Sequence, residues 1–142
     1  MEKLQDIIFY TMDKAIKSYR MYAQKKLKEH GFKITIDQWL IIKTILENPE
    51  VSQQEIAKNV FKDNASVTRI IELLVKSEYL ERKDHPNDRR KSNLVVTDEG
   101  KSIILKVQNI VLDNRKNALD SIGNDELETV NLVLKKIILN CS

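Results

Sequence analysis

Apolar residues recur at intervals of three and four along most of the chain. Between Leu4 and about His30, the positions Leu4, Ile7, Ile8, Met12, Ala15, Ile16, Tyr19, Ala23 and Leu27 form one stripe, and Gly31 follows as a C-terminal stop. This pattern predicts one long amphipathic helix over about 4–30. Thr35-Ile36-Asp37-Gln38 has capping-box spacing, in which hydroxyl and amide each satisfy an unpaired backbone N–H, and it opens a helix running to about Glu47. Asn48-Pro49-Glu50 is a turn. Ser52-Gln53-Gln54-Glu55 is a second capping box, starting a short helix that ends near Val60 or Phe61.

Asp63 is a good N-cap for the next helix, where Val67, Ile70, Ile71, Leu74 and Val75 share one face and Asn64, Ser66, Thr68, Arg69, Glu72 and Lys76 take the others. One side is dry and the other rich in hydrogen-bond donors. Tyr79 to Lys83 and Ser92 to Thr97 read as strands around a polar turn, residues 84–91, which predicts a β-hairpin with a long basic tip. Thr97 then caps a helix carrying Ile103, Ile104, Val107, Ile110 and Val111, with Asp98 and Glu99 at its positive end. Gly123 and Asn124 interrupt. In the last helix, about Asp125 to Asn140, apolar residues from Leu127 to Leu139 occupy more than one face, which a monomer would leave exposed.

Composition removes several classes of function. The chain has 142 residues, enough for one domain, and only three Gly, too few for a Gly-rich phosphate cradle. One cysteine, Cys141, allows no intrachain disulfide and no Cys-based zinc framework. No apolar run or leader-like start marks a membrane span or export, so a soluble, cytoplasmic protein is expected. No nucleophile-elbow pattern exists, and carboxylates are scattered among lysines, so an enzyme is not expected. The formal net charge is only +3, yet Arg82 to Lys91 alone carries a net +3. Any nucleic-acid contact must therefore be local.

The order helix, short helix, donor-rich helix, hairpin is that of a winged helix-turn-helix, here flanked by long helices. The fold class expected is mainly α with a small β-hairpin wing. Such a motif lays its second helix in the major groove. Asn64, Ser66, Thr68 and Arg69 lie in the first turn and a half of that helix, and Ser52 and Gln53 open the short helix before it. These six, with Arg89, Arg90 and Lys91 of the hairpin, are the candidate DNA contacts. Asp88, two residues before Arg90, is placed to hold an arginine toward the minor groove.

Ser52-Gln-Gln-Glu-Ile-Ala-Lys, Ser66-Val-Thr-Arg-Ile-Ile-Glu-Leu-Leu and above all Asp88-Arg-Arg-Lys-Ser-Asn-Leu-Val-Val-Thr-Asp-Glu-Gly100 resemble the MarR family of winged-helix regulators, over about Leu4 to Asn140. The resemblance implies a homodimer that binds a pseudo-palindromic double-stranded DNA operator and usually represses transcription until a small-molecule effector or an oxidant intervenes. It implies a single domain over 1–142, with a DNA-binding part at about 35–97 and dimerisation helices at about 4–30 and 98–140. Arg90 would be the minor-groove arginine and Asp88 its support; Leu4, Ile7, Ile8, Leu134, Ile137 and Ile138 would meet the partner subunit. Two departures stand out. Glu78 occupies a position where the family often has Gly, and Val96-Thr97 replaces its usual Leu-Thr.

Other signals point less far. His30, His85 and Cys141 are too dispersed for a metal site, and no metal or other cofactor is expected. Cys141 has no neighbouring cation to activate its thiol. Tyr19, Tyr22 and Trp39 could line a ligand cleft between the first two helices, with Arg20 meeting an anion; the plainer reading is that these aromatics are core or dimer contacts. The alternative to a DNA-binding regulator is a winged-helix protein-interaction module that does not bind DNA.

Overall fold

Where the periodicity predicts one helix over 4–30, the chain instead forms a short 3-10 turn, Leu4–Asp6, and then α1, Ile8–Glu29. Ile7 between them is extended, with φ −88° and ψ 117°. Neither Lys3 nor Ile7, the two residues that open these elements, makes a side-chain cap, so no sequence signal marks the break. The computed structural model describes the backbone of residues 1–85 and 88–142 and the side chains of residues 1–84 and 93–142. Within it follow α2 (Ile36–Glu47), α3 (Gln53–Val60), α4 (Asn64–Lys76), β1 (Leu80–His85), β2 (Asp88–Val96), α5 (Asp98–Ala118) and α6 (Asn124–Asn140).

The caps are largely those the sequence specifies. Thr35 Oγ1 accepts from the Gln38 N–H at 3.1 Å while Gln38 Oε1 accepts from the Thr35 N–H at 3.0 Å, a complete capping box. At Ser52 only half the box forms: its hydroxyl accepts from the Glu55 N–H and donates to the Glu55 carboxylate. Thr97 Oγ1 accepts from the Gly100 N–H at 3.0 Å and donates to the Glu78 carbonyl at 2.5 Å, fastening the start of α5 to the end of α4.

α3 and α4 close in the same way. Phe61 and Glu78 adopt left-handed φ of 61° and 65°. The next N–H in each case reaches back to a helix carbonyl, Lys62 to Ala57 and Tyr79 to Leu74. This is the Schellman closure that glycine usually occupies, here carried by residues with a Cβ.

Ile41, Ile42, Ile56, Val67, Ile71, Leu74, Leu80 and Val107 are fully enclosed, so the core joins α2, α3, α4, the base of the hairpin and α5. β1 and β2 pair antiparallel, with Leu80 opposite Val96 and Arg82 opposite Leu94. The strands are longer than the sequence pattern implies. β1 continues to His85 and β2 begins at Asp88, with an irregularity at Asp84/His85, so 88–91 belong to a strand backbone rather than to a loop. Alternation of apolar and polar residues fades there because both faces are polar, which removes the signal but not the ladder. At Gly100 the helix and hairpin meet closely: a Cβ would lie 2.3 Å from the Tyr79 carbonyl oxygen. α6 buries none of its residues.

Candidate nucleic-acid interface and adjoining cavity

α3 and α4 pack as a helix-turn-helix, and one hydrogen bond across them joins two of the candidate DNA contacts. Gln53 Nε2 donates to Thr68 Oγ1 at 2.6 Å, and Thr68 donates in turn to the Asn64 carbonyl at 2.8 Å. Thr68 therefore positions Gln53 at the mouth of the helix pair, leaving the Gln53 carbonyl oxygen and a second amide hydrogen to meet a partner.

Asp63 organises the start of α4. Its carboxylate accepts from the Ser66 N–H at 2.8 Å and from the Ser66 hydroxyl at 3.1 Å. Arg69 Nη2 donates to the same hydroxyl at 3.3 Å. The backbone and side-chain hydrogen bonds from Ser66, helped by the Arg69 charge, hold the Asp63 carboxyl below its ordinary range. Ser52, Ser66 and Thr68 are thus tied to their own helix ends, and two other groups remain open. The Asn64 side chain, exposed at the first turn of α4, makes no hydrogen bond among the described residues, and the guanidinium of Arg69 keeps donors beyond its single bond to Ser66.

Arg82, Lys83 and Asp84 of β1 are exposed beside this helix pair. The side chains of Asp88, Arg89, Arg90 and Lys91 lie outside the described residues, as does that of His85.

α1, α2 and α5 line a partly open cavity of about 230 Å³. Tyr19, Ala23 and Leu27 of α1, Ile36 and Trp39 of α2 and Val111 of α5 make its walls apolar, while Arg20, Asn114 and Arg115 add polar groups. Tyr19 and Trp39 thus stand where a ligand cleft requires them, but Tyr22 does not. Residues step about 100° around a helix, which puts Tyr22 on the far side of Tyr19 from Ala23 and Leu27. Its hydroxyl instead accepts from Asn117 at 3.3 Å, and Lys26 Nζ sits 5.7 Å from its ring centre.

Asn114 is only 3% exposed, yet its side chain makes no hydrogen bond among the described residues. The residue lines the cavity, where its amide is open to a partner entering that space. The sequence signal for it is faint, a polar residue continuing the apolar stripe Ile103, Val107, Val111. Arg20 donates to Asp37 Oδ1, and Lys62 Nζ lies 3.3 Å from Asp37 Oδ2.

Of the residues expected to meet a partner subunit, Leu4, Ile8 and Ile138 are more than 60% exposed and Leu134 is 37% exposed. Ile7 and Ile137 are half-buried within the protomer. Among the described residues no group of three or more His, Cys, Asp or Glu could hold a metal ion. Nor, among the described residues, is any helix long and apolar enough to cross a membrane.

The arrangement has clear relatives. Residues 34–92 match the family model described as the MarR family. An HTH-type transcriptional regulator, BilQ of Clostridioides difficile, is 31% identical over 94 residues, 66% of this chain and 62% of that protein. Among solved structures, one described as the mechanism for regulation of DNA binding of Bordetella bronchiseptica BpsR by 6-hydroxynicotinic acid superposes with a TM-score of 0.86 at 18% identity, covering 96% of each chain. A mutant MarR from Escherichia coli complexed with operator DNA superposes with a TM-score of 0.81 at 23% identity, covering 89% of this chain and 90% of that one. These two likenesses concern the fold, six helices with a two-stranded wing. The match to the MarR family model lies on the helix-turn-helix and the hairpin, residues 34–92, and the whole chain shares the fold of these regulators.

Proposed function

We propose that this chain is a homodimeric, sequence-specific DNA-binding transcriptional regulator, acting as a repressor that a small organic acid releases. The observation that carries the reading is α4. Its apolar face is enclosed in the core, while its opposite face offers Asn64 and Arg69 beside the Gln53–Thr68 bond and the basic hairpin. Arg reads guanine and Asn reads adenine through paired hydrogen bonds in the major groove. Gln53 adds a third group with an orientation fixed in advance. In this reading the segment 35–97 binds DNA and the flanking helices, 4–30 and 98–140, join two protomers. Arg89, Arg90 and Lys91, supported by Asp88, would add phosphate and minor-groove contacts.

The cavity supports control by a ligand. Its apolar walls and buried amide suit a flat ring carrying a second polar group, and its two guanidinium groups suit a carboxylate. Among its structural relatives, BpsR is described as regulated in DNA binding by 6-hydroxynicotinic acid, a molecule of that kind.

The test is selection of bound duplexes from a random library, followed by salt titration of the winning sequence. We expect a two-fold-symmetric site and a negative log–log salt slope of about 0.9 per phosphate contacted. Binding without sequence preference, or none, would favour a protein-interaction module in place of a regulator.

A further inference from the structure

α3 ends with one residue in the core and the next in solvent. Val60 is 3% exposed and Phe61 91%, more than any other large apolar side chain among the described residues apart from Met1. Of the three non-glycine residues with left-handed φ among the described residues, Phe61, Glu78 and Ser121, it alone is apolar. Glycine would close α3 with the same backbone and no steric cost. Neither the core nor the turn therefore accounts for an aromatic ring here. The ring borders an open hollow of about 470 Å³ that it shares with Gln54 and Lys58 of α3 and with Asn64, the first residue of α4. All three of these polar side chains are exposed and carry N–H donors, and none makes a hydrogen bond or ion pair among the described residues. The other charged groups on the rim are already engaged. Asp63 accepts from Ser66 with both carboxylate oxygens, and Lys62 pairs with Asp37. What remains is an apolar ring among open donors, which suits a partner that presents acceptors and an apolar group together.

A DNA major groove presents both, since phosphates and base edges accept hydrogen bonds and thymine adds a C5-methyl group that apolar side chains contact. The hollow is also continuous with the face that reads bases, because Asn64 belongs to both: a duplex that covers Asn64 reaches the lip of the hollow. We propose that Phe61 is a specificity-determining residue, its ring packing on a thymine methyl beside the base that Asn64 reads, while Lys58 meets the adjoining phosphate. The proposal rests on reading α4 as the DNA-binding helix. Compared with glycine, Phe61 destabilises the free protomer and stabilises only the complex, so its effect belongs to binding rather than to folding. The ring carries no charge and therefore acts on the choice among sequences. Lys58, by contrast, adds affinity for any duplex.

Replacing thymidine by deoxyuridine removes the methyl group and nothing else, which gives a direct test. In a duplex selected as above, each thymine of one half-site is replaced in turn, and the affinities of the full-chain parent, Phe61→Ala, Phe61→Gly and Lys58→Gln are measured. For the parent, one replacement should lower affinity about fourfold, the worth of burying one carbon group. Phe61→Ala and Phe61→Gly should bind the thymine duplex at least about tenfold more weakly than the parent, the contact being lost in both protomers, and should not distinguish thymine from uracil at that position. Phe61→Gly should at the same time raise the urea midpoint, so that its weaker binding cannot come from a weaker fold. Lys58→Gln should keep the thymine preference and reduce the negative log–log salt slope by about 0.9 for each protomer. Parent-like affinity in both Phe61 variants would overturn the proposal and leave the hollow to a protein partner. So would weakened binding with no thymine whose methyl distinguishes parent from variant. If the parent selects no sequence at all, the DNA-binding reading itself fails, and the role of Phe61 with it.

Discussion

Asp63 does more for α4 than its one-residue position suggests, because its carboxylate holds both the Ser66 N–H and the Ser66 hydroxyl. Its carboxyl is held below the ordinary range chiefly by those bonds. A depressed carboxyl stabilises the fold above its unfolded value and loses that contribution as pH falls through the lowered one. Asn caps a helix about as well as Asp but cannot ionise. The stability gap between the parent and Asp63→Asn should therefore close on acidification, measured by urea midpoints from neutral pH into the acid range. A constant gap would remove the charge from the account. The same residues mark the limit of sequence reading at this scale. Ser66 and Thr68 are legible as donors on a polar face, but the acceptors they use are Asp63 and the Asn64 carbonyl, neighbours within the same turn. Residue type reveals a donor; only geometry reveals that it is already engaged. The surroundings of Asn114 and Asp37 are not legible in the sequence for the converse reason, since they come from what separate helices bring beside them.

Helix bounds are legible at both ends except at the start of α1, where no cap marks the break; what the sequence leaves open is the backbone conformation that closes each helix. Thr35, Ser52, Asp63 and Thr97 each cap the helix that the sequence assigns to them. Endings depend on backbone conformation, and at Phe61 and Glu78 the left-handed residue is not the expected Gly. A side chain with a Cβ pays about 1–2 kcal/mol to sit there, whereas Gly100 is needed for close approach rather than for φ. Two substitutions should then act in opposite directions. Glu78→Gly should raise stability by about 1 kcal/mol, strain relief being partly offset by unfolded-state entropy. Gly100→Ala should lower it by about 1–3 kcal/mol, because the added methyl meets the Tyr79 carbonyl rather than a movable side chain. Chemical denaturation of both variants checks this; equal shifts of one sign would refute the account. The hairpin illustrates the other gap. Its base is fixed by Leu80 and Val96, both buried, while the charged continuation to Asp88 carries no alternation to read.

Across the whole molecule, apolar surface is distributed unevenly. The helix-turn-helix encloses its own core, whereas α6 carries Val130, Leu132, Val133, Ile138 and Leu139 at 49–74% exposure. The excess of apolar faces in the last helix was plain in the sequence, and Leu4 and Ile8 at the other end of the chain are equally uncovered. A two-fold interface would bury both ends together. Ile138→Asp would place two unpartnered carboxylates in that interface, one from each protomer. We expect the dimer dissociation constant to rise at least about a hundredfold, from a cost of about 3 kcal/mol or more, as read by sedimentation or light scattering. An unchanged dimer would exclude this face. Ile137, half-buried in its own protomer, is the poorer probe, since its substitution would also disturb the single chain.

A further consequence follows for α6 itself. Seventeen residues are little more than the length at which an isolated helix is marginal in water, and its own protomer half-buries only Leu127 and Ile137 and encloses none of its residues. In the proposed dimer its helicity would then be largely on loan from the neighbouring subunit. A newly made chain at low abundance would carry a finished DNA-reading head and an unfinished tail, and only a second copy would complete the fold.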